Sequence, residues 1–224
     1  MTSKAEASFV CKSFGANMLP DKAPEVGVKT VLKKKQGDAT LSLELNDATL
    51  RDPKSLKGLA LVAEKPLGSG VKGELRVTAA TKDVLGTVSI DKKWFDNDVT
   101  LKLAYLKSAK GDVVTIEETW KFDKQNKLVG KYNFAKEEAV FKYEHTRGTL
   151  KLAAEYNLQA EKGVVSAEKK RGKNTFAATY GVQDQATTLS WTNKPLKVVL
   201  RGKADREGVK GLQATVLVTK EFEL

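Results

Sequence analysis

Apolar and polar residues alternate one by one along most of this chain, in runs of about eight to ten, and helical periodicity is nearly absent. The clearest run is Thr149–Leu158. Leu150, Leu152, Ala154, Tyr156 and Leu158 hold the even positions, and Thr149, Lys151, Glu155 and Asn157 lie between them. Successive side chains of a strand point to opposite faces, so this run has one greasy and one charged side. Leu41, Leu43 and Leu45 alternate likewise with Thr40, Ser42 and Glu44; Val71, Gly73, Leu75 and Val77 alternate with Lys72, Glu74, Arg76 and Thr78. The pattern continues in Val99–Tyr105, Val114–Phe122 (interrupted by Glu118), Leu128–Phe134, Phe176–Tyr180, Leu196–Lys203 and Leu212–Leu224.

Short polar clusters separate the runs: Ala109–Asp112, Asp123–Asn126, Arg147–Gly148, Glu161–Gly163, Lys170–Lys173 and Asn193–Pro195. Gly, Asp and Asn supply the positive φ values and local hydrogen bonds of hairpin turns. From residue 99 onward a turn arrives roughly every dozen residues, which describes an up-and-down antiparallel meander. Ala16–Pro24 and Asn46–Lys57 are longer connections, each able to hold a helical turn. The pattern predicts an all-β chain of about 14 strands, within a range of about 12 to 16. No composition shift or linker divides it, so one domain over residues 1–224 is expected.

Such a sheet must cover its apolar face, and the chain offers no amphipathic helices for that purpose. Two sheets can pack as a soluble sandwich, or one sheet can close into a barrel with its apolar face in lipid. Alternation alone does not decide between them. Three features favour a closed transmembrane β-barrel. Twelve aromatic residues fall on the apolar face, several at strand ends, as in the girdles of outer-membrane barrels: Tyr105, Trp120, Phe122, Tyr132, Phe134, Phe141, Tyr143, Tyr156, Phe176, Tyr180, Trp191 and Phe222. The opposite face is densely basic, and a barrel of this strand number is too wide for side chains to fill. Its candidate pore-lining residues are Lys29, Lys72, Arg76, Lys102, Lys131, Lys142, Lys151, Lys197, Arg201 and Lys203, with Lys127 on the same side. Finally, the closing run Val216–Leu224 suits a strand that completes a barrel.

Composition changes the picture only when it is sorted by face. There are 39 Lys and Arg against 28 Asp and Glu, a formal net charge of +11. Taken alone this describes a soluble basic protein, and no stretch approaches the roughly 20 apolar residues of a membrane helix. The first ten residues carry neither an apolar signal core nor the Arg-rich character of a transit peptide. A single Cys (Cys11) and a single His (His145) exclude an intrachain disulfide framework and argue against clustered-imidazole catalysis or metal binding.

Asn46–Leu50 and Ser55–Pro66 carry a more specific signal. With Asn126–Tyr132, Phe141–Gly148 and the terminal Phe222–Leu224, they resemble the plastid outer-envelope pore protein family, in particular its general solute channel of about this mass. The similarity runs over nearly the whole chain, is sharpest over Asp47–Pro66 and weakest over residues 66–125. The resemblance implies a β-barrel in the plastid outer envelope, inserted without a cleavable transit peptide. It implies a voltage-responsive diffusion pore for phosphorylated intermediates, sugars, dicarboxylates, amino acids and nucleotides. Its partners would be membrane lipid and small anionic metabolites, with homo-oligomerisation left open. It carries no catalytic motif.

Other motifs have plainer readings. Gly68–Gly73 matches G-x-G-x-x-G, but it leads into a strand rather than a helix N-terminus, so no dinucleotide cofactor is expected. Asp96–Asp98 is a turn rather than a calcium loop. His145 is a strand-end histidine beside Glu144 and Arg147. Lys33–Lys35 and Lys169–Arg171 read as solvated rims near lipid phosphates, and no nucleic acid is expected because the aromatics fall on the other face. No cofactor, metal or catalytic residue is expected. Acidic residues on the basic face (Glu44, Glu74, Glu144, Glu155) predict weak anion selectivity. The rivals are a soluble β-sandwich or lipid-binding barrel acting as a carrier, and a basic RNA-binding β protein.

Overall fold

The structure is a computed structural model. It describes the backbone of residues 2–12, 25–46, 49, 52, 54, 56–205 and 208–223; the side chains of residues 2–29, 205, 209 and 219–223 lie outside the description. Sixteen strands run among these residues. The first eight are β1 (Thr2–Lys12), β2 (Glu25–Gln36), β3 (Ala39–Asn46), β4 (Ala60–Gly68), β5 (Val71–Thr78), β6 (Asp83–Trp94), β7 (Asn97–Lys107) and β8 (Val113–Lys121). The rest are β9 (Asn126–Asn133), β10 (Glu138–Arg147), β11 (Leu150–Asn157), β12 (Lys162–Arg171), β13 (Asn174–Gly181), β14 (Ala186–Asn193), β15 (Leu196–Asp205) and β16 (Gly208–Glu223).

Each strand pairs antiparallel with its sequence neighbours, and β1 pairs with β16, so the sheet is a closed barrel. The count exceeds the 14 expected from spacing because some strands alternate quietly. In β6 an inward Leu85 and an outward Gly86 blur the pattern, and in β12 the alternate positions are Gly163, Val165 and Ala167. Sixteen strands about 4.8 Å apart and tilted about 40° enclose a ring roughly 30 Å across between backbones.

The sense of the faces follows from closure. A closed sheet crowds side chains on its concave side and spreads them on its convex side. Ser42, Ala60, Val62, Thr87 and Glu144 are buried and occupy register positions on one face. The alternate positions hold exposed apolar residues, such as Leu75 and Phe141, each 47% exposed. The greasy face is therefore outside. Among the described residues only Ala60, Val62 and Val99 are buried apolar residues, and none is a large, fully buried side chain. Two sheets packed over an apolar core, the soluble alternative, are not what forms.

The two rims differ. One carries seven connections of two to four residues, such as Gly148–Thr149 between β10 and β11, together with the outer ends of β1 and β16. The other carries the longer links, including 13–24, 47–59 and 108–112. Gly148 has φ +58°, in the left-handed region that a tight hairpin turn requires. Gly130 and Gly163 sit on the outer face where the rings of Phe141 and Tyr156 pack over the backbone; a Cβ on either would meet them at 3.5 and 3.6 Å.

Candidate functional site

The inner wall is the polar face of this barrel, and its geometry is set by cross-strand register. Residues directly opposite across an antiparallel pair share a face. Lys72 and Arg76 of β5, Lys102 of β7, Lys131 of β9, Lys142 of β10, Lys151 of β11 and Lys197, Arg201 and Lys203 of β15 all occupy inner-face positions. Lys29 pairs through its backbone with Glu6 and Asn46, and its side chain lies outside the described residues.

Register then decides which cations meet carboxylates. Arg76 donates from both terminal nitrogens to Glu44, at 3.1 and 2.7 Å. Glu144, only 8% exposed, gathers Lys142 at 3.0 Å, Lys151 at 3.1 Å and Lys127 at 3.7 Å from three adjacent strands. Glu117 of β8 stands directly between Lys102 and Lys131. Lys72 and Lys102 line one polar recess with Glu64, Glu74 and Ser89. Lys197, Arg201 and Lys203 differ, because their neighbours across β14 and β16 are Thr192, Thr188, Ala186, Leu217, Gln213 and Lys210. The sequence pattern assigned the face of these residues but missed Glu144 as a hub. Only the Lys142–Glu144 spacing hinted at it, since the other two lysines arrive from neighbouring strands.

The outer face complements this wall. All three tryptophans, Trp94, Trp120 and Trp191, lie toward the short-turn rim, whereas Tyr105, Tyr132, Tyr156 and Tyr180 lie toward the long-loop rim. Trp94, which the alternation did not single out, stands 5.7 Å from Trp120 and 6.0 Å from Phe95. Several polar tips are tied down: Tyr105 Oη donates to Asp112 at 2.5 Å, Tyr143 Oη to Asn126 at 2.6 Å and Trp191 Nε1 to Asn174 at 2.9 Å. Amphipathic rings with one wet end are the residues that belt a barrel at membrane–water interfaces. Between the belts run exposed Leu61, Leu75, Leu101, Leu103, Leu152 and Leu189. Phe222 lies outside the described side chains.

The motifs set aside by sequence take ordinary places. Gly68–Gly73 spans the β4–β5 hairpin, with Gly70 at φ +73°, and Asp96–Asp98 spans the β6–β7 turn. His145 lies on the outer face with Nδ1 2.9 Å from Asn126 Oδ1. Cys11 pairs through its backbone with Val216, and its side chain is outside the description. Among the described residues no group of His, Cys, Asp and Glu is arranged to hold a metal ion.

An apolar, aromatic-belted exterior around a polar, charged interior defines a porin-like barrel. Solved structures agree on the fold. Two substituted variants of Rh. blastica porin align over 100% of this chain and 100% of theirs, each at 10% identity, with TM-scores of 0.63 and 0.61. Curated protein sequences yield no match. The profile of outer envelope pore protein 24 matches residues 15–203. The chain belongs to the outer envelope pore protein 24 family, which places it in the plastid outer envelope.

Proposed function

We propose that the chain forms, as one barrel domain, a passive and weakly anion-selective pore for small charged metabolites such as sugar phosphates, dicarboxylates, amino acids and nucleotides. The observation that carries this reading is the inner wall. Its described cations, which beside Lys72, Arg76, Lys102, Lys131, Lys142, Lys151, Lys197, Arg201 and Lys203 include Lys33, Lys35, Lys93, Lys121, Lys127, Lys162 and Lys170, outnumber the described carboxylates interleaved with them. A positive lumen raises the local concentration of anions. The neighbouring carboxylates screen much of that field, so discrimination stays weak. Solutes pass by diffusion and no covalent step is involved. Membrane lipid is the partner of the outer face, with the aromatic belts at headgroup level; the backbone of Lys29 falls at an inner-face register position. A family of pores with that envelope address supports the same reading.

Planar-bilayer recording of the refolded chain tests it. The expected result is stepwise conductance, with reversal potentials in a salt gradient showing a mild preference for chloride over potassium. Strong cation preference would overturn the lumen assignment, and absence of conductance would overturn the pore.

A further inference from the structure

The outer face carries few charges, and their places follow one pattern. Among the described residues six cations occupy outer-face positions within three residues of the short-turn end of their strands: Lys34, Lys65, Lys92, Arg147, Lys169 and Arg171. At the long-loop end Lys107 is the one described cation at such a position. All seven are exposed, and none pairs with a carboxylate among the described residues. Three of the six cluster. Arg147 and Lys169 flank Leu150 from either side, and Arg171 follows Lys169 on the same face. At about 4.8 Å between strands and 3.4 Å per residue along one, Arg147 lies about 10 Å and Arg171 about 7 Å from Lys169 between backbones. From β9 to β16 the register places no carboxylate at an outer-face position. The adjoining turns Gly148–Thr149, Gly172–Lys173 and Lys194–Pro195 add none.

We propose that Arg147, Lys169 and Arg171 hold the phosphate of an anionic phospholipid whose acyl chain lies in the outer groove beside Lys169. The proposal rests on the lipid-facing reading of the outer wall and names one lipid class and its seat. Leu152, Ala167, Ala178 and Leu189 stand in one row across β11 to β14, so two methyl groups form a floor between two leucines. The next row toward the short turns holds Lys169, Phe176 and Trp191. These two rows line a single groove that reaches Leu200 of β15, with Lys169 in its wall. Phe176, Leu189 and Leu200 are exposed, so the groove opens outward.

The charges rather than the groove do the selecting. Lipid tails are as apolar as leucine, so an acyl chain gains shape from the groove and no preference over other tails. A basic residue near the membrane surface favours an anionic headgroup by about fivefold, an effect that fades within a Debye length of about 8 Å. Arg147, Lys169 and Arg171 are close enough to act on one headgroup, whereas Lys34, Lys65 and Lys92 stand on β2, β4 and β6 and act on others. Arg147 and Arg171 supply planar forks that hold two phosphate oxygens at once. Trp191 marks the depth, because its Nε1 is committed to Asn174 at 2.9 Å at the short-turn rim. Headgroup and cations therefore meet at one level.

The test is quenching of tryptophan fluorescence in the full chain refolded into phosphatidylcholine vesicles. The probe is phosphatidylglycerol brominated on its acyl chains, compared with brominated phosphatidylcholine at the same fraction. W94F/W120F leaves Trp191, in the groove, as the reporter. Phosphatidylglycerol should be favoured there about fivefold or more, and adding R147Q/K169Q/R171Q should bring the preference close to parity. K72Q/K102Q/K131Q removes as many charges from the inner wall and should leave the preference unchanged. Equal quenching by both lipids before any charge is removed, or an equal loss in the inner-wall variant, overturns the site while leaving the lipid-facing outer wall intact. Protection of Trp191 from both lipids means that protein rather than lipid covers the groove, and overturns that reading of the outer wall as well. If a substituted chain does not refold, K169Q with all three tryptophans decides: a smaller phosphatidylglycerol preference supports the site, and an unchanged one overturns it.

Discussion

Arg76 of β5 reaches across β4 to Glu44 of β3, closing two parallel hydrogen bonds at 3.1 and 2.7 Å. The strand it crosses carries small inner-face residues there, Ala60 opposite Glu44 and Val62 opposite Arg76, both buried. The pair thus links strands that share no backbone hydrogen bonds. Charge-assisted bidentate contacts are stronger than single surface ion pairs. R76Q and E44Q should each lower stability by about 1 kcal/mol, and the double variant should lose less than the sum. Urea unfolding from lipid vesicles measures the cycle, and strict additivity would show that the pair contributes nothing.

Glu144 holds three lysines that would otherwise repel one another. E144Q removes the charge but keeps the shape, leaving Lys127, Lys142 and Lys151 unneutralised. Reversal potentials in a salt gradient should move in the direction of greater anion permeability. Movement toward cations would mean that these side chains do not face the conduction path.

Leu152 lies mid-strand in β11 on the outer face, 42% exposed, beside Ala167. L152R should impair membrane insertion by roughly 2–4 kcal/mol, the cost of a cation at the bilayer midplane. The folded fraction in vesicles reads this directly. A yield equal to wild type would contradict the lipid-facing assignment.

Gly58 has φ +79°, and a Cβ there would overlap the Asn46 side chain, whose Oδ1 accepts the Thr49 backbone N–H at 3.2 Å. G58A therefore strains both the backbone and this loop cap. The expected cost is about 1–3 kcal/mol, seen as a lower unfolding midpoint. G37A, with positive φ but open space around it, should cost less.

In the β8–β9 turn Asp123 accepts from the Asn126 side chain at 2.7 Å and from the backbone N–H groups of Gln125 and Asn126 at 2.6 and 2.7 Å. These donors, the Asn126 side chain first, hold its carboxyl below the usual range. A lowered folded-state value means that the carboxylate stabilises fully above the unfolded-state value of about 4, and that this contribution fades as pH drops through the lower folded-state one. The stability gap between wild type and D123A should be flat from neutral pH down to about 5 and narrow in more acidic buffer. A gap that persists unchanged in strong acid would refute the role.

Much of this architecture was legible in the sequence, and the division has a physical cause. Alternation is a property of a single strand: stereochemistry sends Leu150 and Lys151 to opposite faces whatever surrounds them. Hence the two faces and the hairpin turns could be read directly. Strand number was harder, because β6 and β12 place small residues where a large apolar side chain would mark the face.

Charge pairing between strands could not be read. That Glu144 satisfies three lysines while Lys197, Arg201 and Lys203 have no carboxylate directly opposite them on β14 or β16 depends on which strands lie side by side and in what register. Closure, the pairing of β1 with β16, turns the greasy face outward, and the direction of curvature is written in no single strand. The sequence by itself determined two faces and their chemistry; the tertiary structure decided which face is inside and which of its cations Glu44 and Glu144 gather.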